Sequence, residues 1–463
     1  MIRTPRPPTT RLRRPRGGVV VATALLLAAV GLLTIKSEAI VLGAEGYLYG
    51  YPLVLMDATR AHVQETQGPA NQLLRVRKFP EAQFKAVVRP NLDTLYTTTF
   101  LDMDAGPWVF EMPANGQRYE LMPFMDAWTN VFAGPGTRAS GTAGGRFLLV
   151  GPRWSGTVPE GLALLRAPTR MVWLIGRTQT DGPSDHALVH QLQDGLQLRS
   201  LADWATGRSP PAAPWTPAAR RPPPPISQMQ DMDVTRFFTQ LARLMLDNPP
   251  TAADAPMLLK LARIGVAPGK APQWGLVDRW AIALGRLIAD HTVARELGKR
   301  PTVRGWITPP AMIGNFGTHY NIRAVVAMIG LGANLPADAM YPSAAVDRDG
   351  QALHGRHRYR LHFAKGSLPP VHAFWSVTAY GADDFLIDNP LKRHRLGDRD
   401  PLRYNPDGSL DLWIQAEAPE AARQANWLPV KAGEPFLLNA RLYWPKPEAL
   451  DGRWGMPGIE KLD

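Results

Sequence analysis

Eight of the seventeen residues from Ser209 to Pro225 are proline, ending in Pro222-Pro223-Pro224-Pro225. Proline fixes φ and has no N–H to donate, so this stretch can be neither a helix nor a central strand. It reads as extended and semi-rigid, a linker or a surface strap. The chain around it has 463 residues, too many for one ordinary core. Two domains with a helical connector are therefore expected.

The hydrophobic pattern differs on the two sides of the break. Ala39 to Arg60 has helical spacing, with Pro52 placed to kink it. From Phe84 to Pro152 the period changes to two. Trp108–Met112, Tyr119–Met122, Phe147–Val150 and then Met171–Ile175 read as strands. Ser184 to Leu201 reads as one helix, with Leu188, Leu192 and Leu196 on one face. Beyond the prolines, Val234, Phe237, Phe238, Leu241, Leu244 and Met245 mark an amphipathic helix. Thr251 and Asp254 form a capping box for a second helix that Gly265 can end. A third runs from about Leu276 to Leu297. From Tyr341 onward, turn signals at Asp347–Gly350 and Asn405–Ser409 separate alternating runs. The strands there are Tyr359–Phe363, Ala373–Thr378, Leu410–Gln415 and Phe436–Tyr443.

The expected fold class is α+β. It comprises a basic flank and a signal anchor or signal peptide (1–38), a mixed α/β-sandwich-like N-terminal domain (39–208) and the proline linker (209–227). A helical connector (228–340) and a C-terminal antiparallel, jelly-roll-like β-sandwich (341–463) follow.

The formal net charge of +12 does not indicate nucleic-acid binding. Seven of the cations lie in residues 1–36, which contain no acid, and the remainder carries only +5. That remainder has no basic stripe interleaved with aromatics, so no nucleic-acid partner is expected. Six arginines precede the uncharged run from Gly17 to Ile35, which as a helix spans roughly 28 Å. Positive charge before an apolar run holds that end in the cytoplasm and exports the rest. The run exceeds the apolar segment of a signal peptide, which favours an inner-membrane anchor with the bulk periplasmic. Cleavage at Ser37-Glu38-Ala39, releasing the protein to the periplasm, and a cytoplasmic protein with a buried N-terminal helix are the alternatives. The membrane is thus the expected partner of the first helix.

With no cysteine in the chain, disulfides, thiolate catalysis and cysteine-bound metals are excluded. His186 and His190 are four apart on a helix, and His354, His357, His362 and His372 lie close in sequence. The helical pair could point one way, but no Glu follows His186 as in a zinc-protease motif; solvated or core histidines are expected, and no metal or cofactor is assigned. The signatures of common serine hydrolases, phosphate-loop enzymes and dinucleotide-binding dehydrogenases are missing from the sequence.

Two constellations carry chemistry. Asn91, Asp93 and Tyr96 put an amide, a carboxylate and a phenol within six residues, and could gather with Asp126, Trp128 and Arg138. Asp93, Tyr96 and Asp126 are the catalytic candidates, as general acid or base. The plainer reading is a fold-holding network around a turn. The second set is Trp375, Tyr380, Asn389, Arg393, Asn426, Trp427, Arg441 and Tyr443. Aromatics with amides suit sugar faces and hydroxyls, and arginine suits an anion. A sandwich core with aromatic plugs would use the same residue types.

The chain also resembles a two-domain bacterial family whose halves are domains of unknown function 1254 and 1214. The first half carries Asn91-Leu92-Asp93-Thr94-Leu95-Tyr96, Gly106-Pro107, Arg118-Tyr119, Asp126-Ala127-Trp128-Thr129, Gly151-Pro152-Arg153-Trp154 and Ile175-Gly176-Arg177-Thr178. The second carries Pro369 to Ser376, Asn389-Pro390, Asp407-Gly408-Ser409, Asn426-Trp427-Leu428-Pro429, Arg441-Leu442-Tyr443 and Trp454. The long apolar N-terminus, the proline-rich break and His394, where the family tends to tyrosine, depart from it. The resemblance implies an exported or envelope location and no agreed reaction. Three readings follow. One is an envelope protein binding a small polar or carbohydrate-like ligand in the interdomain cleft. The others are a carboxylate-dependent hydrolase of an envelope or external polymer, and a structural envelope protein.

Overall fold

The computed structural model describes residues 16–83, 88–209, 211–298 and 302–463. The basic flank, residues 1–15, lies outside the described residues. One helix, Arg16–Thr66, joins the apolar run to the helix expected at Ala39–Arg60 and contains Pro52. From Ile40 to Ala58 nearly all of it is buried inside the protein, Val41 being the exposed residue. A helix apolar on all sides must be covered on all sides. Here the cover comes from helices Val234–Asp247, Ala255–Arg263, Leu276–Gly298 and Tyr320–Gly330 and from one face of a sheet. The part from Leu33 to Thr66 is apolar enough to cross a membrane, but most of it is buried in this core.

Small residues let the long helix and Leu276–Gly298 approach closely. A Cβ on Gly285 would lie 2.4 Å from the Ile40 carbonyl oxygen and 2.8 Å from the Ala44 nitrogen. The two helices run in the same direction, since Lys36 meets Asp278 while Arg286 lies over the Tyr47 ring.

The N-terminal domain has two sheets. The first orders Leu74–Arg75, Thr94–Asp102, Met171–Gln179, Phe124–Asp126 and Val131–Ala133, with Glu120–Leu121 also on Met171–Gln179. The second orders Gln197–Ser200, Trp108–Met112, Gly145–Val150 and Ala163–Arg166. Strand alternation explains the layering. Val172 and Leu174 face the second sheet, while Met171, Trp173 and Ile175 face the helices.

The helix expected over Ser184–Leu201 is shorter. It runs His186–Gly195, and Gln197–Ser200 is a strand paired with Trp108–Met112. Leu196 is extended, and Gly195 lies so close to Pro113 that a Cβ would sit 2.9 Å from its ring. The buried face is Val189, Gln193 and Leu196, and Leu188 is exposed.

The proline stretch is a strap. Among the described residues it has no regular structure up to Pro225. It is tied to the end of the long helix by the Trp215 indole N–H to the Gln64 carbonyl, 2.7 Å, and by the Ala218 N–H to the Glu65 carbonyl, 2.8 Å. The capping box at Thr251 and Asp254 is present, and Gly265 follows its helix with φ +78°. Helix Tyr320–Gly330 was not among the expected elements.

The C-terminal half is a β-sandwich. One sheet orders Ala339–Met340, Phe436–Pro445, Val371–Gly381 and Arg395–Gly397, with Ser343–Ala344 on Phe436–Pro445. The other orders Trp427–Pro429, Leu410–Gln415, Tyr359–Phe363 and Ile459–Lys461. Trp427–Pro429 pairs in parallel with Leu410–Gln415, a departure from the all-antiparallel expectation. Trp375, Val377, Leu438, Ala440 and Leu442 face Leu361, Leu412 and Ile414 across one core.

A Gly285→Ala variant should lose about 1–3 kcal/mol, because an added methyl group there must push two helix backbones apart. Thermal denaturation at neutral pH measures it. An unchanged midpoint would show that the helices can separate without cost.

Candidate functional site

The N-terminal domain docks on the outer face of the sandwich sheet that holds Val371–Gly381 and Phe436–Pro445. Period two decides which side chains meet it. Phe374, Ser376, Thr378 and Tyr380 point to this seam, as do Asn439, Arg441 and Tyr443. Trp375 points the other way, into the sandwich core.

Asp93 lies at the centre of the seam with no exposed surface. The Ser376 hydroxyl donates to its Oδ2 at 2.7 Å, Arg399 donates to Oδ1, and Arg395 Nε is 3.3 Å from Oδ1. Arg399 also donates to the Thr180 carbonyl at 2.5 Å, and its guanidinium lies 3.9 Å over the Phe374 ring. Arg395 bonds to the Leu92 carbonyl at 3.1 Å and to Asp400 at 2.9 Å. Burial pushes the Asp93 carboxyl up. The charges of Arg395, Arg399 and Arg441 and the Ser376 hydroxyl outweigh that, so it lies below the usual carboxylate range.

Asn91 forms the local turn before the strand. Its Oδ1 accepts from the Asp93 N–H at 2.7 Å. Its Nδ2 donates to Thr94 at 2.9 Å, to the Tyr443 hydroxyl at 2.8 Å and to the Tyr96 hydroxyl at 3.3 Å. Arg441 donates to Thr378 at 2.8 Å, to the Tyr380 hydroxyl at 2.7 Å and to the Arg89 carbonyl at 3.0 Å. Tyr380 in turn donates to the Pro90 carbonyl at 2.7 Å. Arg177 is buried beside them. It donates to Asn334 at 2.7 Å and to the Gly332 carbonyl at 2.9 Å, and lies 5.2 Å over the Tyr96 ring. Asn334 donates to the Tyr341 hydroxyl at 2.6 Å. The Arg177 Nε has no partner among the described residues. Tyr96 and Tyr341 are partly exposed, so the cluster reaches solvent there.

The expected site residues divide accordingly. Asn91, Asp93, Tyr96, Tyr380, Arg441 and Tyr443 come together. Arg138 lies along the same seam and pairs with Asp338, whose backbone carbonyl takes the Tyr119 hydroxyl at 3.1 Å. Asp126 and Trp128 do not join them. Thr94 pairs with Gln179 and Asp126 with Val172 on the same central strand. That separation is roughly 23 Å at the strand rise, far beyond the spacing of a paired-carboxylate hydrolase. Asn389, Arg393, Asn426 and Trp427 are likewise elsewhere, bonded to backbone. Asn389 donates to the Arg393 carbonyl at 3.0 Å and Arg393 to the Trp427 carbonyl at 3.1 Å. Asn426 donates to the Asp411 carbonyl at 2.9 Å and Trp427 to that of Gln415 at 2.9 Å.

Asp126 holds a turn instead. Its Oδ1 accepts from the N–H groups of Trp128 at 2.9 Å and Asn130 at 2.8 Å. Burial pushes its carboxyl up to about 6. Near it Arg323 sits among Tyr49, Trp128 and Tyr320, its centre 5.2–5.6 Å from the three rings. Arg177, Arg323, Arg395 and Arg399 were not anticipated. Arg395 and Arg399 lie some three hundred residues from Asp93, Arg177 and Arg323 pair with no carboxylate among the described residues, and no local spacing marks any of the four. Among the described residues, no group of three or more His, Asp or Glu could hold a metal.

Fold and seam define a two-domain α+β protein closed by a buried polar network. The family model for protein of unknown function DUF1254 matches residues 70–200, and that for protein of unknown function DUF1214 matches residues 338–447. The chain belongs to the two-domain family that joins these halves. It is similar to the crystal structure of the VPA0106 protein from Vibrio parahaemolyticus. The identity is 25% over 92% of this chain and 100% of that one, with a TM-score of 0.69. A putative uncharacterized protein from Burkholderia cenocepacia aligns at 12% identity over 97% of this chain and 99% of that one, with a TM-score of 0.45. None of the curated proteins matches the chain.

Asp93→Asn removes the close counter-charge of Arg399 and leaves Arg395 with Asp400 alone, and should cost about 3–5 kcal/mol. The two buried carboxyls should also bend the pH profile in opposite directions. The lowered pKa of Asp93 gives stability that is present at neutral pH and lost as pH falls through its folded value. The raised pKa of Asp126 gives stability that is present below about pH 4, its unfolded range, and lost as pH rises through about 6. Denaturant midpoints between pH 3 and pH 8 check this. Asp126→Asn should make the upper window shallower, Asp398 being also raised to about 6 by burial, and leave the acid limb unchanged.

Proposed function

We propose that this is an envelope protein, held by its N-terminal apolar helix, that binds a polar acidic ligand in the seam between its domains. One observation carries this reading. Arg177 and Arg441 are 5% and 3% exposed, and although the Asp93 charge acts on Arg441, no carboxylate among the described residues bonds to either guanidinium. A buried guanidinium without a carboxylate partner is costly, and such sites cluster where a ligand supplies the missing charge. Three phenols (Tyr96, Tyr341, Tyr443) and two amides (Asn91, Asn334) surround the pair. That inventory fits hydroxyls and a carboxylate or phosphate on one small molecule, as in an acidic sugar.

The polymer-hydrolase reading has less support. The Asp93 carboxyl lies below the usual range and is saturated by donors, which suits a fixed negative charge and not a proton donor. Envelope location is supported by the apolar run and the arginines before it. Cleavage near Ala39 would cut just before the buried part of the helix begins, so either processing outcome leaves the core intact.

The test is isothermal titration of the purified protein with glucuronate or galacturonate oligosaccharides, and with their neutral counterparts. The acidic series should bind and the neutral series should not. Arg177→Met should weaken binding at least about tenfold, the loss of one charged hydrogen bond. Equal binding of both series, or of neither, overturns the proposal.

A further inference from the structure

Helix Leu276–Gly298 has two apolar faces. One carries Ala281, Ile282, Gly285, Ala289 and Val293 and is buried against the long helix. The other begins with Leu276, Val277 and Trp280, which are 80%, 42% and 42% exposed. Exposed apolar side chains at successive turns of one helix mark a surface that meets something other than water. Their position says what. Lys36 Nζ is 2.7 Å from Asp278 Oδ1, which sets this first turn beside the residue where the Gly17–Ile35 run ends. Ile35 and Leu33 are themselves 77% and 41% exposed. Arg263 pairs with Glu38 at the same level, so two ion pairs and the exposed Arg279 flank the apolar tip. Because the two helices run in the same direction, the tip points back toward the apolar run.

We infer that the first turn of this helix is a second membrane contact. Leu276, Val277 and Trp280 insert into the headgroup–acyl boundary beside the anchor, with Lys36, Arg263 and Arg279 at headgroup level. Tryptophan favours that boundary because its ring is apolar and its N–H is polar, and basic side chains there attract anionic lipid. The contact fixes the rotation of the protein about its anchor, which a single helix leaves free. It ends within the first turns. Leu287 is exposed too, but lies roughly 16 Å further along the helix and stays in water.

This inference rests on the membrane anchor proposed above, and the test separates the two. The chain has no cysteine, so single substitutions give single labels. Leu26→Cys, Leu276→Cys and Leu287→Cys variants of the full chain would each carry an environment-sensitive fluorophore. They would be reconstituted in vesicles of phosphatidylethanolamine and phosphatidylglycerol with brominated acyl chains. Quenching at positions 26 and 276, and its absence at 287, is the expected pattern. Quenching at 26 alone keeps the anchor and overturns the second contact. No quenching at any position overturns the anchor reading itself. Equal quenching at 276 and 287 overturns the tip geometry, because the helix would then lie along the bilayer. Cross-linking between copies through position 276, without quenching there, would assign the surface to self-association and also overturn the proposal.

Discussion

The ion cluster at Asp93 sets the relation between the two halves of this protein. Desolvating a carboxylate costs several kcal/mol, and only close opposite charge with full hydrogen bonding offsets it. Asp93 comes from the N-terminal domain, and Ser376, Arg395 and Arg399 come from the sandwich. Neither half can bury its own charge alone. The same register serves two purposes, since Ser376 and Thr378 face the seam while Trp375 and Val377 between them face the sandwich core. A slip of one residue would put polar groups in the core and apolar groups on the seam.

A seam closed in this way differs from an apolar one. Apolar surfaces can slide, whereas buried polar partners fit in one arrangement. Such partners alternate along the interface with apolar contacts, Phe374 and Tyr443 against Tyr119 and Leu121, and Leu386 and Leu437 against Leu92. Arg89 pairs with Asp384 at 2.7 Å, Arg138 with Asp338, and Arg399 bonds to the Thr180 carbonyl. Against this background the bonding of Arg177 and Arg441 stands out, because their acceptors are carbonyls, hydroxyls and an amide. The carboxylates of the seam go to other guanidiniums.

Much of the fold was legible where local physics decides. Leu410–Gln415 alternates and is a strand over those residues, Thr251 and Asp254 cap as their spacing requires, and Gly350 and Gly408 take the positive φ their turns need. Legibility failed where a distant neighbour decides. Leu188, Leu192 and Leu196 suggested a long helix, but Trp108–Met112 offered an open edge and took Gln197–Ser200 as a strand. The site divides in the same way. Asn91, Asp93 and Arg441 could be named from their chemistry. The partners of Asp93 lie some three hundred residues away and have no spacing signature. Trp375 has the composition of a ligand contact, but whether it faces the seam or the core depends on strand parity, which the sequence does not label.

The long helix reaches the seam through the N-terminal sheet. It is packed against that sheet through Phe100, Trp173 and Ile175, and the strand that carries Trp173 and Ile175 also carries Arg177 into the seam before ending at Gln179. Gly332 lies against Trp173 and Ile175, and its carbonyl accepts from Arg177. The N-terminal sheet is therefore fixed between the helices on one face and the second sheet on the other. Any opening of the seam has to come from the sandwich moving as a unit. Such a movement exposes Asp93, Arg395 and Arg399 to water together, so their rehydration offsets part of the interactions lost. The apolar contacts of Phe374 with Tyr119 and of Leu437 with Leu92 would be exposed as well, and they oppose such opening.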